Sequence, residues 1–180
     1  MLKIPIPKQE LWDEEHEKFI RIKPTILILE HNLVSMSEWE AKYEKPLLDR
    51  FKPHTLEERR DYIRFMTQNE VDPAIYYALT SADFKSVDEY MNKKMTATTF
   101  TKSKERGGSQ FISAELIYCW MSTFNIPYEP CQYWHLNRLL TLIKVCSEEN
   151  KEPTKVPKGK AMADQRALNE MRKAKFGTKG

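Results

Sequence analysis

The sequence predicts a mainly α protein: a compact multi-helix domain with a short extended or β-hairpin N-terminal arm and a basic helical C-terminal tail. Three observations lead there. The 180 residues include only five Gly, too few for a loop-rich or phosphate-cradling architecture. Ser/Thr-x-x-Glu patterns able to cap helices recur ahead of apolar residues at helical spacing. Lys and Arg crowd the segment 151–180, which has little to bury.

Residues 1–30 form the least helical part. Phe19 to Ile22 and Thr25 to Leu29 are apolar, β-branched runs on either side of Lys23-Pro24, which suits a short hairpin or an extended arm. Pro5 and Pro7 disfavour helix before them. The helical core domain is placed at 31–150. Ser37 to Glu40, Thr55 to Glu58 and Ser86 to Glu89 each read as a capping box opening a helix. Trp39 and Tyr43 follow the first; Leu56, Tyr62, Ile63 and Met66 share a face after the second. Val87, Tyr90, Met91 and Met95 line a stripe after the third. Asp72-Pro73 opens a short helix ending near Leu79, with Asp as cap and Pro as first helical residue.

Residues 96–110, rich in Thr and Ser and closed by Gly107-Gly108, read as an exposed loop. Ser113 caps a helix carrying Leu116, Ile117, Trp120, Met121 and Phe124, ended by Asn125 and Pro127. Pro130 to Glu149 reads as one central helix, with Leu136, Leu139, Leu140 and Ile143 on a single face. Residues 151–180 are a Pro/Lys linker followed by strong helix formers.

Composition excludes several classes. Hydrophobic content of 41%, with eight Phe, eight Tyr and four Trp, is too rich for a disordered chain. Mean hydropathy is −0.65, and the longest apolar runs, 74–79 and 116–121, fall far short of the ~20 residues a membrane span requires. Cys119, Cys131 and Cys146 are odd in number and lack a CxxC, which predicts three reduced, core or near-core thiols. The N-terminal residues carry no apolar signal core, so a secreted protein is not expected.

The net charge of +3 hides an asymmetry. Residues 151–180 hold nine Lys/Arg against three acids, which leaves 20 basic and 23 acidic residues in 1–150. The chain is a mildly acidic body with a basic tail, a sign that suits nucleic acid, an anionic lipid surface or an acidic protein face.

Catalytic and metal constellations do not assemble. The four His are scattered, without the paired short spacing of a zinc site, and neither a phosphate loop nor a GxSxG is present. The acids Asp13-Glu14-Glu15 read as a solvated face. The expectation is a protein that is not an enzyme and needs no cofactor or metal. Candidate partner contacts are Trp134, His135, Asn137 and Arg138 at the start of the central helix, Lys102, Lys104 and Arg106 in the loop, and Arg166, Arg172, Lys173 and Lys175 in the tail. The first group can equally be structural, with Trp134 in the core and the polar residues satisfying a neighbouring helix end. The tail can neutralise phosphates or fold onto an acidic partner, and Phe176 is its only stacking aromatic.

Leu29-Glu30-His31-Asn32-Leu33-Val34-Ser35-Met36-Ser37-Glu38-Trp39-Glu40, followed by Lys45-Pro46, resembles a segment of a group of small bacteriophage proteins. The likeness continues at Met95 to Thr98, Ser113 to Tyr118, Trp120-Met121 and Asn125 to Pro127. It is densest over Trp134 to Ile143, the string WHLNRLLTLI. Over residues 11–180 the chain is similar to tail assembly chaperones of tailed phages. That resemblance implies binding to the helical tape-measure protein, in the host cell cytoplasm, while the tail tube polymerises around it. Such a role needs an adaptable apolar surface, for which Met36, Met66, Met91, Met95 and Met121 are candidates if they do not simply fill the core. A homo-oligomer is compatible. The alternatives are a structural virion component, such as a tail or head-tail connector protein, and a small nucleic-acid-binding protein; no membrane partner is expected.

Overall fold

The computed structural model describes residues 1–13, 17–49, 52–99, 112–150 and 158–177, and the architecture below is that of these residues. It is mainly α, with an N-terminal strand arm. Strands β1 (Leu2–Ile6) and β4 (Thr25–Leu29) pair antiparallel, as do β2 (Gln9–Asp13) and β3 (Lys18–Ile22). The two ladders share one register: Leu2↔Leu29 and Gln9↔Ile22 lie on the same antiparallel count. That count sets Pro7 opposite Pro24 where the ladder is interrupted. Neither proline has an N–H to donate, so pairing lapses there. The expected hairpin between 19–22 and 25–29 is therefore corrected, because β3 and β4 follow one another along the same arm of a longer hairpin.

Alternation puts Ile4, Ile6, Leu27 and Leu29 on the buried face. The outer edge of β4 is covered by the chain leaving the second helix. Gln68 N–H donates to the Ile28 carbonyl at 2.8 Å, and Glu30 N–H to that of Met66 at 2.9 Å.

Helix α1 (Leu33–Tyr43) begins four residues before the expected Ser37 cap. Asn32 is the cap, its side-chain oxygen accepting Ser35 N–H at 2.8 Å. Leu33, Met36 and Trp39 then form its buried face. Helix α2 (Leu56–Met66) carries the expected reciprocal box of Thr55 and Glu58; Tyr62, Ile63 and Met66 are buried, but Leu56 is 54% exposed at its first turn. Asp72 caps a 3-10 helix, Pro73–Ala78. Helix α3 (Ser81–Met91) opens on a Thr80/Asp83 box, not at Ser86, whose hydroxyl donates to the Ala82 carbonyl inside the helix at 3.0 Å. Met95 lies beyond α3 and is exposed. Helix α4 (Ala114–Thr123) is capped by Ser113, as the sequence indicates.

The expected helix 130–149 is two elements: a short α5 (Tyr128–Cys131) and α6 (Leu136–Glu149). In a continuous helix Leu136 N–H would donate to the Gln132 carbonyl. Instead Leu136 N–H donates to the His31 carbonyl at 2.7 Å, and the Gln132 carbonyl accepts Leu33 N–H at 3.1 Å. Both halves of that helical bond are spent on the segment entering α1. The tail helix α7 spans Lys158–Phe176.

The chain divides into two compact units, Met1–Cys146 and Ser147–Gly180. The first holds a single core in which Leu27, Leu33, Trp39, Ile117 and Leu136 are fully buried, each contributing on the order of 1.5–3 kcal/mol by leaving water. No described helix is long and apolar enough to cross a membrane.

Candidate partner-binding site

The residues at 134–138 separate into two environments. His135 is buried just ahead of α6. Its Nε2 lies 3.1 Å from the Tyr90 carbonyl, which can only accept, so Nε2 carries the proton and Nδ1 accepts Asn137 N–H at 3.3 Å. Both ring nitrogens are thus engaged inside the fold. Asn137 Nδ2 donates to the carbonyls of Met91 and Lys93 at 2.7 and 2.8 Å, closing the C-terminal end of α3. Trp134 and Arg138 remain at the surface: Trp134 is half-buried and the Arg138 guanidinium stacks over its ring at 4.0 Å.

Behind His135 lies a buried polar cluster that sequence reading does not find. Tyr90 Oη donates to Glu30 Oε1 at 2.7 Å, and the α-amino group of Met1 pairs with Glu30 Oε2 at 2.9 Å. His31 Nδ1 meets Tyr62 Oη at 2.5 Å, and its ring packs edge-on against His135 with centroids 5.3 Å apart. Burial, followed by the neighbouring His135, lowers the His31 pKa to about 3. Burial also lowers that of His135, against the opposing Tyr90 bond and Glu30 charge. Both imidazoles are neutral at pH 7. Burial holds the Tyr62 and Tyr90 hydroxyls protonated well above the usual phenol range, with Glu30 adding to the effect at Tyr90. These groups satisfy one another and join the strand arm to α1, α2, α3 and α6.

A second buried carboxylate, Glu40, accepts Leu47 N–H on one oxygen and Ala114 N–H on the other, each at 2.7 Å. Burial raises its pKa, opposed by those two amide bonds.

Of the five methionines, Met36, Met66 and Met121 are fully buried and fill the core, Met91 is half-buried and Met95 is exposed. Cys131 is buried and Cys146 half-buried, but Cys119 is exposed on α4 rather than packed in the core. No group of three His, Cys, Asp or Glu among the described residues is placed to hold a metal. Lys102, Lys104 and Arg106 lie outside the described residues.

In the second unit Arg166, Arg172, Lys173 and Lys175 are all exposed along α7. Met162, Leu168, Met171 and Phe176 are exposed beside them. The helix thus offers cations and large apolar side chains together. Other exposed apolar groups, Trp12, Phe19, Leu56 and Tyr77, have no period that marks them in the sequence. No family model matches the chain, and no curated protein or solved structure shows significant similarity to it.

Proposed function

We propose that this chain is a morphogenesis protein of a tailed bacteriophage, a tail assembly chaperone that holds the tape-measure protein in the host cytoplasm while the tail tube forms. The observation that carries this reading is α7, whose described side chains include four exposed large apolar groups and four exposed cations on a 19-residue helix. A partner helix with an acidic, apolar face is the complement of such a surface. The polar cluster of the body is consumed by its own fold, which leaves contact to the surfaces and the tail. The phage assignment itself comes from the residue resemblance at 29–46 and 134–143.

Co-expression with a tape-measure fragment from the same genome tests it. The fragment is expected to stay soluble with the full chain and to lose most of that protection when the chain is truncated after Asn150. Unchanged fragment solubility in the presence of the full chain refutes the chaperone role. Mass spectrometry of purified virions separates the structural alternative, since a chaperone is absent from the finished particle.

A further inference from the structure

Aromatic rings of the Met1–Cys146 unit commonly carry a cation of their own. Lys45 lies over Trp39 at 5.6 Å, Lys42 over Tyr43 at 5.1 Å and Arg59 over Phe84 at 5.0 Å. Arg60 lies over Tyr77 at 4.7 Å and Arg138 over Trp134 at 4.0 Å. The negative face of a ring attracts a cation within about 6 Å of its centroid. Among the described residues no cation lies over Tyr118, Tyr128 or Tyr133.

These three tyrosines share one surface. Tyr118 on α4 and Tyr128 on α5 pack edge-on with ring centroids 5.5 Å apart, and the Tyr128 and Ser122 hydroxyls meet at 2.5 Å. Tyr128 and Tyr133 are 47% and 51% exposed, and Tyr118 is half-buried. Burial, then Tyr133, Tyr128 and Glu38, raises the Tyr118 pKa, so its hydroxyl is neutral at pH 7. Two carboxylates border the rings. Glu38 on α1 is the one that acts on Tyr118, and Glu115 lies three residues before Tyr118 and seven before Ser122, the spacing of one helix side. Both are exposed, and neither makes an ion pair among the described residues.

Elsewhere on the body, rings beside a carboxylate have their cation: Asp61 with Lys42 at Tyr43, Asp88 with Arg59 at Phe84, and Glu58 with Lys45 at Trp39. The tyrosine surface has the rings and the carboxylates without it. Such a surface repels phosphates, so neither a nucleic acid nor an anionic membrane is its complement.

We propose that this tyrosine face receives a Lys- or Arg-bearing segment of a partner protein. A cationic side chain of that segment sits against the exposed tyrosine rings, with Glu38 and Glu115 as its counter-charges. The rings supply contact area at little cost in side-chain freedom, and the carboxylates select the sign of the partner. The proposal rests on residues of the Met1–Cys146 unit alone and is independent of the tape-measure reading.

Fluorescence anisotropy of a dye-labelled octalysine peptide, titrated with the full chain, tests it; octaglutamate is the control. Octalysine is expected to bind, more weakly as salt is raised, and octaglutamate is not. Tyr128→Leu, which keeps apolar volume but loses the ring, and Glu38→Gln are each expected to weaken binding about two- to fivefold, the scale of one exposed cation–π contact. Both variants keep the parent's circular dichroism. Glu57→Gln removes the same charge from an exposed position on α2 and is expected to leave binding unchanged. Octalysine that does not bind, octaglutamate that binds as well, variants that bind like the parent, or a loss in Glu57→Gln equal to that in Glu38→Gln overturns the proposal.

Discussion

The Glu40 carboxylate in α1 accepts the first amide of α4, Ala114 N–H, at 2.7 Å across 74 positions of sequence. Its other oxygen takes Leu47 N–H in the turn that leaves α1. One buried side chain therefore closes a turn and seats the positive end of a helix. Glu40→Gln replaces one acceptor oxygen by an amide NH2 donor that faces an N–H. It is expected to cost about 1–3 kcal/mol, the penalty of one unsatisfied buried donor. Urea unfolding checks this as a lower midpoint at unchanged slope; an unshifted midpoint would show that the displaced amide finds another acceptor.

His31 gives stability a pH dependence of defined sign. Its pKa falls from the ordinary 6.5 to about 3 in the folded chain, through burial and then His135. The unfolded chain binds a proton that the folded chain refuses, so this contribution is complete above 6.5 and is lost as pH drops toward 3. One such group steepens the fall by about 1.4 kcal/mol per pH unit within that window. His31→Gln, which does not titrate, should flatten the profile between about pH 6 and 4 relative to the parent. Parallel profiles for the two proteins would remove His31 from the acid response.

Asn137→Ala removes both hydrogen bonds that close α3 at the Met91 and Lys93 carbonyls. The expected loss is about 1–2 kcal/mol. Amide exchange should quicken at Tyr90, Met91 and Lys93 before it does in α4. Uniform quickening throughout the body would point to global destabilisation rather than a lost cap.

Arg138→Ala separates packing from recognition. The stack on Trp134 is at the surface, so the loss of stability is expected to stay near 0.5–1 kcal/mol. If this pair contacts the partner, the variant keeps its melting temperature within a few degrees but protects a tape-measure fragment less well. Full protection by the variant places the contact elsewhere.

Local chemistry made part of the fold legible. Thr55 with Glu58, Asp72 with Pro73, and Ser113 cap the elements their spacing indicates, since a cap needs only a side-chain oxygen and an amide two or three residues on. The same rule misleads at Ser37 and Ser86, where the pattern occurs inside a helix whose true cap, Asn32 or Thr80, lies upstream. The tail helix and its cations were legible for the same local reason. The polar cluster was not: His31 and His135 stand far apart in the chain, and only the docking of α6 beside the start of α1 brings their rings to 5.3 Å.

By itself, then, the sequence determined that the chain is mainly α with a strand arm, where several helices open, and that a basic helix ends it. These follow from periodicity, caps and charge, which act over a few residues. Tertiary structure alone decided the pairing of β1 with β4 and of β2 with β3, the burial of Glu40, and the break before α6. At that break the helical bond between Leu136 and Gln132 gives way to two bonds with His31 and Leu33. Every apolar signal in 130–149 favours one helix, but the edge of α1 also needs backbone partners. The Leu136 and Leu33 amides and the His31 and Gln132 carbonyls are all satisfied when that bond is given up, and the exchange ties two distant segments together.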